Sequence, residues 1–355
     1  MTPTFHLLAA VTSMAGGVAI SAVALHAAVS FWLLLLPVGW VVTLHGMRNL
    51  RMMVFHQCAH RNMWARTRTD RVVGRLVAGL LVVQGFEQYS REHVADHHAV
   101  HHMTLRDPTV QAFLVSLELR PGMPRATMWR IVTRKLLSPR FHLSFAVARV
   151  RSYAGNASRT TRVVTAVCYA LLAAGSIASG LWPLLLLGWC VPLTVLFQIS
   201  NTLRLCVKHT FPSADTTERR GKAYFASLTN AIFLGEAAPA PALPPVRRLL
   251  AWTRWALRMG LVHFPARYLV LTGDTVVHDF HHRHPMSRQW ADYVFARQRD
   301  IESGHPGWPD YQEAWGLAAA VNRVFDSLSA ADPAEFDPER LPEVSKRELF
   351  AAFDD

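Results

Sequence analysis

Between Met1 and Met47, and again between Val163 and Leu203, the chain contains no Asp, Glu, Lys or Arg. Each stretch is about twice the ~20 apolar residues that one helix needs to cross a bilayer, so each reads as a helical hairpin. The first turns near His26 to Ser30. The second turns at Gly180-Leu181-Trp182-Pro183, where Gly and Pro punctuate and Trp suits a membrane interface. The expected architecture is an all-α integral membrane protein with four transmembrane helices, paired over about 5–47 and 163–205.

All 37 Lys and Arg lie outside these stretches, so neither hairpin turn carries a positive charge. The positive-inside tendency then places every basic loop and both termini in the cytoplasm, for a multi-pass protein of a bacterial inner (plasma) membrane. The first apolar stretch is too long for a signal peptide and lacks a basic n-region, which argues against its removal. With 51% hydrophobic residues, the net charge of +12 reads as topology and attraction to anionic headgroups, not as a nucleic-acid surface. Docking of an acidic electron carrier is a further use for it. The four cysteines form no C-x-x-C pair, which argues against disulfides, zinc ribbons and a built-in iron–sulfur cluster.

Between and after the hairpins the chain reads as a cytoplasmic helical cap. Arg48 to Asp70 continues the second helix past the membrane, and Val72 to Gly85 is too short for a span and fits a re-entrant or interfacial helix. Residues 103–162 are basic and proline-punctuated. Ala237 to Pro245 is a proline-rich linker into an amphipathic segment, Arg247 to Leu261, expected on the membrane surface or within the cap. The division expected is a membrane domain over 1–285 and a C-terminal cytoplasmic helical extension over 286–355.

The 18 histidines are concentrated in a few short clusters. His56-Gln57-Cys58-Ala59-His60 places two imidazoles at i and i+4 on one helix face, a spacing suited to a shared metal. In His93-Val94-Ala95-Asp96-His97-His98-Ala99-Val100-His101-His102, the rings of His98, His101 and His102 converge at i, i+3 and i+4. The same H-x-x-H-H pattern returns as His278-Asp279-Phe280-His281-His282. One such pattern is weak, but three at cytoplasmic helix ends point to a metal centre.

HQCAH, HHAVHH and HDFHH resemble the three histidine boxes of the membrane fatty acid desaturase family, in order and in spacing, over roughly Gly46 to Pro285. Membrane hydroxylases of the sterol-desaturase type have similar boxes, but their first two lie closer together. The resemblance implies a further histidine after the fourth span, and His209 occupies that place. The family has an asparagine one turn earlier, where this chain has Leu205; Asn201 lies two turns back. The implied ligands are His56, His60, His98, His101, His102, His209, His278, His281 and His282. His93 and His97 stand as additional or outer-sphere candidates, and Glu92, Asp96, Asp274 and Asp279 as acceptors for imidazole N–H groups.

What the resemblance further implies is a centre of two ferrous ions that reduces O2 and abstracts hydrogen from the alkyl chain of a fatty acid or acyl lipid. Imidazole alone does not select iron over zinc, copper or nickel, but so many ligands are poorly explained by one zinc ion. The outcome expected is desaturation, with hydroxylation and oxidative decarboxylation to a terminal alkene as alternatives. A membrane metal transporter is the reading from another class, but the charge-free stretches hold only His6, His26 and His45, with none paired at ligand spacing. His305-Pro306-Gly307-Trp308 is similar to a haem-binding HPGG, yet no histidine follows it, and no GxGxxG is present. Electrons are therefore expected from a separate ferredoxin-type or similar donor.

Overall fold

Thr2 caps the first helix, its Oγ1 accepting the Phe5 N–H at 3.2 Å, and Pro3 follows where a missing N–H leaves no bond unmade. In the computed structural model, which describes residues 1–27, 29–64, 66–94, 102–216 and 221–341, α1 (Pro3–His26) pairs with α2 (Ser30–Ala59). A Cβ at Gly17 would lie 2.3 Å from the Thr43 nitrogen, and one at Gly46 2.5 Å from that of Met14. Glycine there lets the two backbones touch, the small-residue packing that substitutes for a hydrophobic driving force in lipid. The turn falls where the charge-free stretch predicts it, and α2 carries the first histidine pair at its end.

α3 (Thr67–Leu81) leaves Val72, Leu76 and Leu80 exposed and buries Val77, Ala78 and Leu81, and it is not long enough to cross. Short α4 (Phe86–Arg91) follows, then α5 (Arg125–Leu136) and α6 (Pro139–Asn156) of the cap. Arg149 of α6 donates to the carbonyls of Leu81 at 2.6 Å, Val82 at 3.1 Å and Leu193 at 2.8 Å. Those at the end of α3 lack helical partners, so this one guanidinium ties cap to membrane layer. α7 (Arg159–Ala178) and α8 (Leu184–Lys208) form the second hairpin, turning through Gly180 at φ +74° as the Gly-Leu-Trp-Pro run predicts.

Beyond α8 lie β1 (Ala231–Phe233), α9 (Pro245–Arg258), α10 (His278–Arg283), α11 (Tyr293–Glu302), β2 (Glu313–Trp315) and α12 (Leu317–Ser329). No residue of α9 is buried, in keeping with its amphipathic sequence. The described part of the segment after residue 286, up to residue 341, is packed into the cap. Val321, Val324, Phe325 and Leu328 of α12 share one core with Phe113, Leu114, Met128 and Phe211, at roughly 1.5–3 kcal/mol for each fully buried side chain. β2 pairs in parallel with β1, Ala231 opposite Glu313. The expected helical extension therefore contributes a strand and a wall of the cap core. At the His-Pro-Gly-Trp turn both His305 nitrogens are engaged locally, by Trp308 O at 2.8 Å and Asp310 Oδ1 at 3.1 Å.

Candidate metal centre

The last turns of α2 approach the centre through a wider winding over Leu50–Phe55, where π-helical turns replace α-helical ones immediately before His56. His56 and His60 then face inward from successive turns. His93, just beyond α4, meets them: its Nε2 lies 2.8 Å from His56 Nε2. His281 of α10 completes this group, the ligand atoms of all four buried residues lying within 4.8 Å of one another.

A second buried group is formed by His209, His278 and His282. His209 breaks from the end of α8 into extended backbone at φ −138°, and its Nε2 comes to 3.2 Å from that of His278. His278 and His282, one turn apart on α10, bring their Nε2 atoms to 3.1 Å. The His102 ring stands beside this group, 4.6 Å from the His209 ring and 4.9 Å from that of His282, with its Nδ1 3.9 Å from Asp107 Oδ2. α10 is the seam between the groups, since His281 belongs to one and His278 and His282 to the other.

Of the residues singled out in the sequence, His56, His60, His102, His209, His278, His281 and His282 are brought to these two groups. His98 and His101, with Asp96 and His97, lie outside the described residues. His93 moves from an additional candidate to a member of the first group. Its separation from His97 repeats that of His56 from His60, and this was the available signal. Asn201 is fully buried on α8.

The carboxylates behave differently from expectation. Asp279 accepts from Arg297 Nε at 3.0 and 3.2 Å rather than from an imidazole, and burial pushes its carboxyl up to about 6 against the pull of that arginine. Asp274 accepts from Gln57 Nε2 at 3.0 Å, and burial likewise pushes it up to about 6. Glu92 takes the side-chain amides of Gln84 and Gln88. Asp107, which the sequence reading passed over, caps a short helix by accepting from Thr109 N at 2.8 Å and also holds Met103 N at 2.7 Å. Its Asp-Pro pair was the signal for a cap.

Cations surround the site. Arg48, Arg51, Arg204 and Lys208 are all buried. Arg51 is sandwiched between the rings of Phe55 at 4.6 Å and Tyr89 at 4.3 Å, and among the described residues none of its three guanidinium nitrogens has a hydrogen-bond partner. Tyr89 in turn stacks on the His93 ring, centroids 5.1 Å apart. Burial, then the neighbouring His209, Lys208 and Arg204, hold His278 well below the usual histidine range, so its ring is neutral and its lone pair available. Imidazoles converging in two adjacent buried groups fit a metal site. Among the described residues the buried Nδ1 of His56 has no hydrogen-bond partner, an orphan that a bound ion or a rotated ring would relieve.

Comparison with known proteins agrees with this geometry. The family model described as fatty acid desaturase matches residues 30–236, which hold the histidine boxes at 56–60 and 93–102 and His209. The third box, at 278–282, lies beyond the matched stretch and is folded back onto His56, His60, His93 and His209. No curated protein and no solved structure matches the chain.

Proposed function

Because the chain belongs to the fatty acid desaturase family, we propose that it is a membrane-bound di-iron oxidoreductase that desaturates the alkyl chain of a fatty acid or fatty acyl lipid, using O2 and electrons from a separate ferredoxin-type donor. Family membership implies oxidation of a fatty-acyl chain. The observation that supports the finer reading is the convergence of His56, His60, His93 and His281 beside His209, His278 and His282, from segments far apart in sequence. His102 stands with the second group, and His98 and His101 are further proposed ligands.

Two ferrous ions, when bound, supply the reduction of O2 and the removal of hydrogen from an unactivated carbon. The chain's own contribution is electrostatic and geometric. Burial keeps His278 neutral so that it binds metal rather than a proton, and the packing around α10 holds the rings of His56, His60, His93 and His281 beside those of His209, His278 and His282. Exclusion of water from this site protects a reactive centre from side reactions. The site faces the cytoplasm in this reading, since every basic residue falls on that side.

Mass spectrometry of lipids and hydrocarbons from cells with and without the gene tests the proposal. A new double bond in the acyl pool is the expected result. A hydroxylated chain or a terminal alkene would reassign the reaction, and an unchanged profile with iron-free protein would overturn the reading.

A further inference from the structure

Helix α3 carries two cavities along one side, and neither is lined by a histidine of the metal centre. The first, about 390 Å³, is bounded by Arg61, Thr67, Arg71, Glu87, Ser90 and Arg91. The second, about 570 Å³, is an apolar groove between α1, α3, α7 and α8, walled by Met14, Val18, Leu80, Val164, Leu172 and Trp189. They share a wall: Glu87 lines the first, Arg75 lines the second, and Arg75 Nε donates to Glu87 Oε1 at 2.6 Å. Thr67, Arg71, Arg75 and Gly79 follow at intervals of four, so the two cavities run end to end along α3.

The chemistry of the pair is that of one amphiphile. Glu87 is neutralised by Arg75, which leaves Arg61, Arg71 and Arg91 as net positive charge in the first cavity. The side chains of Arg61 and Arg71 make no hydrogen bond or ion pair among the described residues, and among these the Arg91 side chain is held only by the neutral Gln88. Three arginines around one cavity match a phosphate, whose oxygens take paired N–H donors. The groove next to it offers hydrocarbon walls at the depth of the membrane-spanning helices. Val72 and Leu76 of α3 are 55% and 64% exposed, as a helix lying against lipid would leave them.

We propose that this pair of cavities binds an anionic phospholipid, with its phosphate among Arg61, Arg71 and Arg91 and an acyl chain along the groove behind Arg75. The lipid is a resident of the site and not the chain that reacts, because the groove that would take its acyl chain is lined by no histidine of either group among the described residues. Seated there, it braces α4, which leads directly into His93.

The test is native mass spectrometry of the full chain in neutral detergent, offered equal amounts of phosphatidylglycerol and phosphatidylcholine with identical acyl chains. It needs neither iron nor turnover, so its outcome is independent of the proposed reaction. The expected result is retention of phosphatidylglycerol with about tenfold preference. Arg61→Gln with Arg71→Gln should bring the preference near parity, and Val164→Trp, which fills the groove, should weaken both lipids. Equal retention of the two lipids by the native chain would overturn the proposal, even where a variant fails to fold. So would an undiminished preference in the arginine double variant, or full displacement by millimolar inorganic phosphate, which would make the first cavity a simple anion pocket.

Discussion

The Nε2 atoms of His56 and His93 lie 2.8 Å apart, although the two residues belong to different helices on either side of α3. That contact assigns His93 to the first histidine group. His93→Ala should lower bound iron by roughly half or more and remove turnover, since loss of a ligand or its close support commonly costs ~10–100-fold in metal affinity. Iron analysis of purified protein checks this, with His305→Ala, which belongs to neither histidine group, expected to keep its iron.

The Arg297–Asp279 pair fixes the third histidine box, His278 to His282, with side chains only 3% and 2% exposed. Removing one partner strands a buried charge. Arg297→Met alone should destabilise by about 3–5 kcal/mol, and adding Asp279→Asn should recover part of that loss. Thermal unfolding in detergent measures it, and additive losses would show that the two are not coupled.

Arg51 makes the opposite case. Its guanidinium is fully buried without a hydrogen-bond partner among the described residues, and the facing rings of Phe55 and Tyr89 return only about 2 kcal/mol against a desolvation cost of several. Arg51→Met should therefore raise the unfolding temperature. It should also slow turnover, since a fixed positive charge is lost beside Tyr89 and His93. A lower melting point would show that the cation is stabilising where it sits.

Glu236 joins the chain after β1 to the far end of α9, bonding Arg258 and lying 3.1 Å from His263 Nε2. Its hydrogen bonds to these two residues, that to Arg258 foremost, lower its carboxyl to about 2 from an ordinary value near 4.5. A lowered carboxyl stabilises the fold above its unfolded value, and the stabilisation fades as pH falls from about 4.5 toward 2. The melting difference between the native chain and Glu236→Gln should be present at neutral pH, shrink through that window, and be smaller in high salt.

Much of this architecture is written in places where charge is absent. Two uncharged stretches are enough to place four spans, because lipid admits no other backbone solution. The first and third histidine boxes are legible for a similar reason, since i, i+3 and i+4 spacing leaves their rings on one face. The second box is not: five histidines from His93 to His102 offer more ligands than a helix face can present, and it is the meeting with His56, His60 and His281 that selects His93. The role of α12 is also hidden. Its apolar stripe announces a buried face but not the Phe113 and Phe211 that cover it, and the pairing of Ala231 with Glu313 is a contact across distant sequence.

Metal stoichiometry joined to oxygen use is the most direct test of the centre itself. Gently extracted protein, reduced and supplied with a fatty acyl substrate, should contain two irons per chain and consume O2 only when that substrate is present. Protein that is folded yet holds no iron, or holds one zinc ion and consumes no O2, would contradict the account.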